Sequence, residues 1–194
     1  MMEPVAVYIL AGGKSRRFGS DKARAQLHGE PLILHVRNSL EPFARSFTAV
    51  ADREDKYADL GLRTIADHTP GLGPVGGLHA ALTDLPEDCD RLLLCPCDAA
   101  VIRPGWIEQL LHIEVGANDA IAFREREGRW QPMPAVYARR VLPHVEALLQ
   151  HHRPRMQDLL ELVHTRQLSI PPNWPARWQI NRQEDLRAFS NPNE

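Results

Sequence analysis

The chemistry-bearing residues of this chain begin at Leu10. The stretch LAGGKSRRFGSDK, residues 10–22, sets Gly12, Gly13 and Gly19 among Lys14, Arg16, Arg17 and Lys22, directly after the apolar run at 5–10. Glycines let a main chain approach an anion closely and aim successive N–H groups at it. Arginine adds forked donors that match phosphate oxygens, and lysine adds a compact point charge. Two familiar phosphate motifs do not fit. The Walker loop would need glycine where Tyr8 stands, and the dinucleotide fingerprint has no place for the adjacent Gly12 and Gly13. The same residues also fit a solvated basic loop.

A second stretch, DHTPGLGPVGGLHAAL, runs from Asp67 to Leu82 and carries Gly71, Gly73, Gly76 and Gly77 ahead of an alanine-rich helical pattern. Such a lead-in can seat an anion or a flat base at a helix N-terminus. It can equally be a loop with a tight turn at Gly73-Pro74. A third, LLLCPCD, closes a buried run on Asp98. A carboxylate there serves as a cap or turn former, or as a ligand to Mg2+, which takes few carboxylates alongside substrate phosphates.

The elements that must position these residues alternate. Residues 5–10, 47–51, 62–67, 91–95 and 119–123 read as strands. Helical spacing covers 31–40, with Pro31 in the first turn where its missing N–H costs nothing. It also covers 75–85, 104–112, two patterns within 141–163 parted near Pro154, and a last helix from about Arg182 after a short strand. The alternation predicts an α/β fold: a mostly parallel twisted sheet with helices on both faces. Ligands of such sheets bind beyond the carboxyl ends of the strands. The loop after Leu10, Asp67 and Asp98 should therefore share one rim.

Composition narrows the classes. A length of 194 residues suggests a single domain. With 43% hydrophobic and 25% charged residues the chain reads as globular, and a net charge of -2 provides no overall basic field for nucleic acid. Cys89, Cys95 and Cys97 are too few for a disulfide framework, and Cys95-Pro96-Cys97 is too tightly spaced for the common zinc or redox motifs, so structural thiols in a reducing compartment are expected. No apolar run approaches the ~20 residues of a membrane span. The N-terminus lacks a basic n-region. These features predict a cytoplasmic protein without a membrane partner. The histidines show no H-x-x-x-H pair for a metal. The basic cluster His151-His152-Arg153-Pro154-Arg155 reads as a solvated loop or as a contact to an anionic second substrate, and Trp174 and Trp178 as packing or as pterin stacking.

Taken together, LAGGKSRRFGSDK, DHTPGLGPVGGLHAAL and LLLCPCDAAVI resemble the signatures of the molybdenum cofactor guanylyltransferases (MobA), and the resemblance continues through HGEPLI, RWQPMPAVY and INRQEDL. It implies a Rossmann-like nucleotidyltransferase domain spanning 1–194, with a GTP- and Mg2+-binding half at 1–100 and a molybdopterin-side half at 101–194. The implied reaction transfers GMP from GTP to the terminal phosphate of molybdopterin and releases pyrophosphate. Leu10, Ala11, Gly12 and Gly13 would cradle guanine and ribose, Arg16 and Lys22 would hold the triphosphate, Asp67 would sit on the guanosine side, and Asp98 would bind Mg2+. Asn181 would help on the molybdopterin side or behind the phosphates. Gln179 stands where the family often has asparagine, and Ala100 where it usually has proline. The substrate phosphate is already a competent nucleophile, so catalysis would be positioning and charge neutralisation, with Lys22, Arg16 and Asp98 as the acting groups. Transient contacts with cofactor-biosynthesis proteins and apo-molybdoenzymes are expected from the same resemblance. Two alternatives stand beside this reading: a cytidylyltransferase of the same cofactor, and a non-catalytic molybdopterin carrier.

Overall fold

The run Val5–Leu10 shows how the sheet is built. Val5, Val7 and Ile9 point into one core with Ile33, Val36 and Trp106, whereas Ala6 and Tyr8 point into another with Val75, Leu78 and Leu159. Successive side chains of a strand face opposite sides. A parallel strand covered by helices on both faces therefore reads as an unbroken apolar run.

A computed structural model of the chain describes residues 3–12, 21–69, 71–151 and 153–190. Its strands are β1 (Val5–Leu10), β2 (Gln26–Leu27), β3 (Glu30–Pro31), β4 (Ala44–Ala51), β5 (Thr64–Ala66), β6 (Arg91–Pro96), β7 (Ala120–Arg124), β8 (Trp130–Ala138) and β9 (Thr165–Ser169). Its helices are α1 (Leu32–Leu40), α2 (Pro74–Asp84), α3 (Pro104–Leu111), α4 (Leu142–Leu149), α5 (Met156–Leu162) and α6 (Gln183–Ser190). The main sheet has 7 strands in the order β5-β4-β1-β6-β8-β7-β9. β8 runs antiparallel to β6 and β7, and the other pairings are parallel. Helices α1 and α3 cover one face, and α2, α4 and α5 the other. The fold is the α/β sheet that the alternation predicts.

Three local results differ from expectation. Pro31 does not open α1; it has extended angles, φ -55 and ψ 135, and pairs with Gln26 in the small hairpin before the helix. The short strand expected before the last helix is a single antiparallel bridge between Ala99 and Gln179. Strands β8 and β9 have no counterpart in the sequence reading. Pro132 and Pro134 interrupt β8 between its paired stretches, Trp130–Gln131 and Ala135–Ala138, where a missing N–H breaks no ladder bond.

Register puts the carboxyl ends of the parallel strands level. Leu10 is opposite both Val50 and Pro96, and Ala51 is opposite Ala66. Main-chain bonds continue the alignment past the strands: Ala11 N–H donates to Val50 O (2.9 Å), Cys97 N–H to Leu10 O (3.0 Å) and Asp67 N–H to Ala51 O (2.7 Å). Strand order also reverses at this point, because β1 is followed in sequence by β4 on one side and by β6 on the other. That switch is where ligands of open parallel sheets are bound.

Candidate active site at the carboxyl rim

Four sequence-selected residues meet just beyond β6. Asp98 follows the strand by two residues. Its Oδ2 accepts from the Lys22 ammonium at 2.7 Å, and its Oδ1 accepts from the Gln179 amide at 3.1 Å. Asn181 Oδ1 accepts from the same ammonium at 3.4 Å. The Lys22 and Asp98 side chains are 16% and 14% exposed, so this ion pair is largely withdrawn from water but still reachable.

The backbone explains why these residues converge. Lys22 opens a short 3-10 turn, Lys22–Arg24, whose Ala23 N–H donates to the Asp21 carboxylate. Asp98 is clasped by the C-terminal segment: its carbonyl accepts from Ile180 N–H at 2.9 Å, and Ala100 N–H donates to Trp178 O at 2.8 Å. The second bond accounts for Ala100, since proline at this position would have no N–H to give. The longer Gln179 likewise still reaches Asp98, so an amide one carbon longer than asparagine keeps this contact. The segment is tied down next to α6, where Asp185 accepts from the main-chain N–H groups of Asn181 and Arg182 at 2.9 and 2.8 Å.

Asp67 lies on the same rim beyond β5 and makes none of the contacts within this group. Its Oδ1 accepts from the Thr69 N–H (2.8 Å) and hydroxyl (2.9 Å), closing a turn on itself. The glycine-rich stretch is largely a packing device. A Cβ on Gly76 would stand 2.4 Å from Thr69 Oγ1, and one on Gly77 would stand 2.9 Å from Leu10 Cδ2. These glycines let α2 lie against the Asp67 turn and the end of β1. Gly73, at φ 66, precedes the helix and Pro74 begins it. Gly12 differs: a Cβ there would make only ordinary contacts, 3.8 Å from Ala51 Cα and from Val50 O. Packing against the described residues does not require glycine at 12. Gly13 and Arg16, with Lys14 and Arg17, lie outside the described residues.

The remaining candidates resolve into structure. Cys89, Cys95 and Cys97 are free and buried. Burial first, and then the negative charge of Asp98, pushes the Cys97 thiol up to about 12, which keeps it protonated. Trp174 stacks on Trp106 at 4.3 Å and meets Trp178 edge-on at 5.1 Å, so these rings are packing within the core. Arg155 of the basic cluster is bound to Asp158 within its own helical start, and His152 of the same cluster lies outside the described residues. Sequence reasoning missed Tyr57, Lys56 and Asp21 as a group. The hydroxyl of the fully buried Tyr57 lies 3.1 Å from Asp21 Oδ2, and the Lys56 ammonium lies 3.4 Å from the same oxygen. The DK pair was visible, but nothing in the spacing tied it to a tyrosine after β4.

A mostly parallel sheet with its switch point beside β1, and with a lysine–aspartate pair on that rim, has the architecture of the Rossmann-like nucleotidyltransferases. The chain belongs to the MobA-like NTP transferase domain family, whose model matches residues 7–168. It is 30% identical over 199 residues to the probable molybdenum cofactor guanylyltransferase of Methanothermobacter thermautotrophicus, covering 96% of this chain and 100% of the relative. It is 34% identical over 151 residues to the molybdenum cofactor guanylyltransferase of Pseudomonas putida, covering 75% and 76% of the two chains. In fold it is similar to the crystal structure of molybdopterin-guanine dinucleotide biosynthesis protein A from Archaeoglobus fulgidus, with a TM-score of 0.78, 22% identity, and 96% and 97% of the chains covered. Among the described residues no helix is long and apolar enough to cross a membrane.

Proposed function

We propose that this protein transfers GMP from GTP to the terminal phosphate of molybdopterin, acting as a single domain. The observation that carries the reading is the Lys22–Asp98 pair, held between Gln179 and Asn181 on the carboxyl rim of the sheet. Leu10, Ala11 and Gly12 offer main chain to guanine and ribose. Among the described residues nothing crowds a Cβ at Gly12, so a glycine there is consistent with close approach by a ligand. Lys22 faces the triphosphate; an ammonium has several donors, so it can keep Asp98 or Asn181 while it binds a phosphate oxygen. Asp67 borders the guanosine side, Gly13 joins Leu10, Ala11 and Gly12 in cradling guanine and ribose, Arg16 holds the triphosphate with Lys22, and Asn181 with Gln179 faces the second substrate. The residues at 1–100 supply the GTP side and those at 101–194 the molybdopterin side. No protein nucleophile is needed, because the attacking group is the substrate's own phosphate.

Asp98 suits Mg2+. A carboxylate has about four lone-pair sites on its two oxygens, and Lys22 and Gln179 each occupy one here. Among the described residues there is no group of three or more His, Cys, Asp or Glu that could hold a metal unaided. That donor set fits an ion shared with substrate phosphates. When bound, Mg2+ would neutralise charge on the phosphates. The protein would work in the cytoplasm and meet cofactor-biosynthesis proteins and apo-molybdoenzymes transiently.

Heat-unfolding shifts with GTP, CTP, ATP and UTP, each with Mg2+, test the reading, since a ligand of the folded state alone raises its stability. A shift with GTP alone, followed by pyrophosphate release when molybdopterin is added, is expected. A larger shift with CTP would transfer the enzyme to the cytidylyl reaction. Binding of molybdopterin with no nucleotide shift and no pyrophosphate would make it a carrier.

A further inference from the structure

The Asp21 carboxylate is gripped from several directions. Oδ1 accepts the Ala23 N–H at 3.1 Å, the Tyr57 hydroxyl lies 3.2 and 3.1 Å from Oδ1 and Oδ2, and the Lys56 ammonium is 3.4 Å from Oδ2. Tyr57 is 0% exposed and comes from the connection between β4 and β5. Its hydroxyl also lies 3.5 Å from the Ala11 carbonyl. One phenol thus touches Ala11 as the chain leaves β1 and Asp21 as it enters the 3-10 turn. A buried hydroxyl is costly unless it is hydrogen-bonded. Here burial, and then the charge of Asp21, pushes the phenol's pKa up and keeps it a donor.

The support behind Tyr57 is also charged. Lys56 is bound to Asp52 at 2.7 Å and sits 5.5 Å from the centre of the Tyr57 ring. On another side, Arg24 lies 5.3 Å from the ring centre, makes a bidentate pair with Asp59 (2.8 Å for each bond), and donates to the Lys56 carbonyl at 2.8 Å. The turn that carries Lys22 is therefore fastened at its cap, Asp21, and at its last residue, Arg24. Both fastenings lead to the β4–β5 connection.

We propose that Tyr57, supported by Lys56, is a positioning residue for Lys22: by holding Asp21 it fixes the turn that presents the Lys22 ammonium to Asp98. The inference rests on the reading of Lys22 as the cation that faces the triphosphate. Tyr57 does not touch the reacting atoms. Its effect should fall on turnover, because misplacing a charge that acts in the transition state lowers kcat without removing ground-state binding.

The test is steady-state pyrophosphate release from GTP and molybdopterin by the parent, Tyr57→Phe, Asp21→Ala, their double variant and Lys22→Ala. Tyr57→Phe keeps the buried ring and removes only the hydroxyl. A kcat lowered about tenfold or more, with KM for GTP and melting temperature little changed, is expected. Tyr57→Phe should add little to the loss already caused by Asp21→Ala, because both act through one link. Parental kcat in Tyr57→Phe, or the same factor lost with and without Asp21, would overturn the inference. In that case an inactive Lys22→Ala would leave the assignment of Lys22 standing. Parental turnover by Lys22→Ala would bring down that assignment and the inference together. Should Tyr57→Phe fail to fold, Lys56→Met applies the same test from the other side of Asp21.

Discussion

At the scale of single residues, the Lys22–Asp98 pair combines low exposure with incomplete enclosure. Removing one member of a withdrawn ion pair strands the other, so each variant at this site must be read by what it leaves behind. Asp98→Asn keeps the shape and an acceptor for Lys22, but removes the charge that a hard cation requires. The Mg2+ concentration that gives half-maximal turnover should rise about tenfold or more in Asp98→Asn, by analogy with other losses around metal sites. A metal titration that overlays the parent's would reduce Asp98 to a strand-end cap. The residue types at the rim were open to reading because chemistry limits the choice: lysine for a point charge, carboxylate for a cation, glycine for close approach. The partner that sets Lys22 was not open to reading. Tyr57 looks like any core aromatic until the fold brings its hydroxyl to Asp21.

At the scale of elements, β1, β4, β6, α2 and α3 were legible because burial on both faces or on one helical face leaves a periodic apolar mark. β8 was hidden by Pro132 and Pro134, which fall between its ladder bonds. β9 is a partly exposed edge strand with the polar sequence TRQLS, so it lacks the apolar signature. Polar contacts also join elements in a way that pH can probe. Asp84, at the end of α2, accepts from Tyr8 of β1 at 2.8 Å and from Arg63 at 2.6 Å through each of its oxygens. Burial alone would raise its pKa. The hydrogen bonds from Arg63 and Tyr8 outweigh burial and hold it below the usual carboxylate value. A folded-state pKa below the unfolded one gives stability that is present above the unfolded value, about 3.9, and is lost as pH falls through the folded value. The parent should therefore melt higher than Asp84→Asn near neutrality, and the gap should close as the solution is taken below about pH 4. A gap that does not change with pH would mean the charge on Asp84 contributes nothing.

At the scale of the whole molecule, the sheet joins the two halves of the chain edge to edge. β6 pairs with β1 on one side and with β8 on the other, and the two larger hydrophobic cores draw residues from each half. A fragment of residues 1–100 would leave the fully buried Leu92, Leu93 and Leu94 on an open edge. It should show no cooperative heat-unfolding transition, while the full chain should unfold in one step; a sharp transition in the fragment would mark it as an independent unit. The clasp of Asp98 by residues 178–181 carries a further consequence for the order in which a growing chain becomes competent. Every strand of the sheet is complete by Ser169, before Gln179 and Asn181 have been added. A chain stopped soon after Ser169 would have every strand but would lack the core rings of Trp174 and Trp178 as well as the restraints on Asp98. Folding of the sheet and completion of the site are therefore separate achievements of the chain, because Gln179 and Asn181, which meet Asp98 and Lys22, belong to no strand of the sheet.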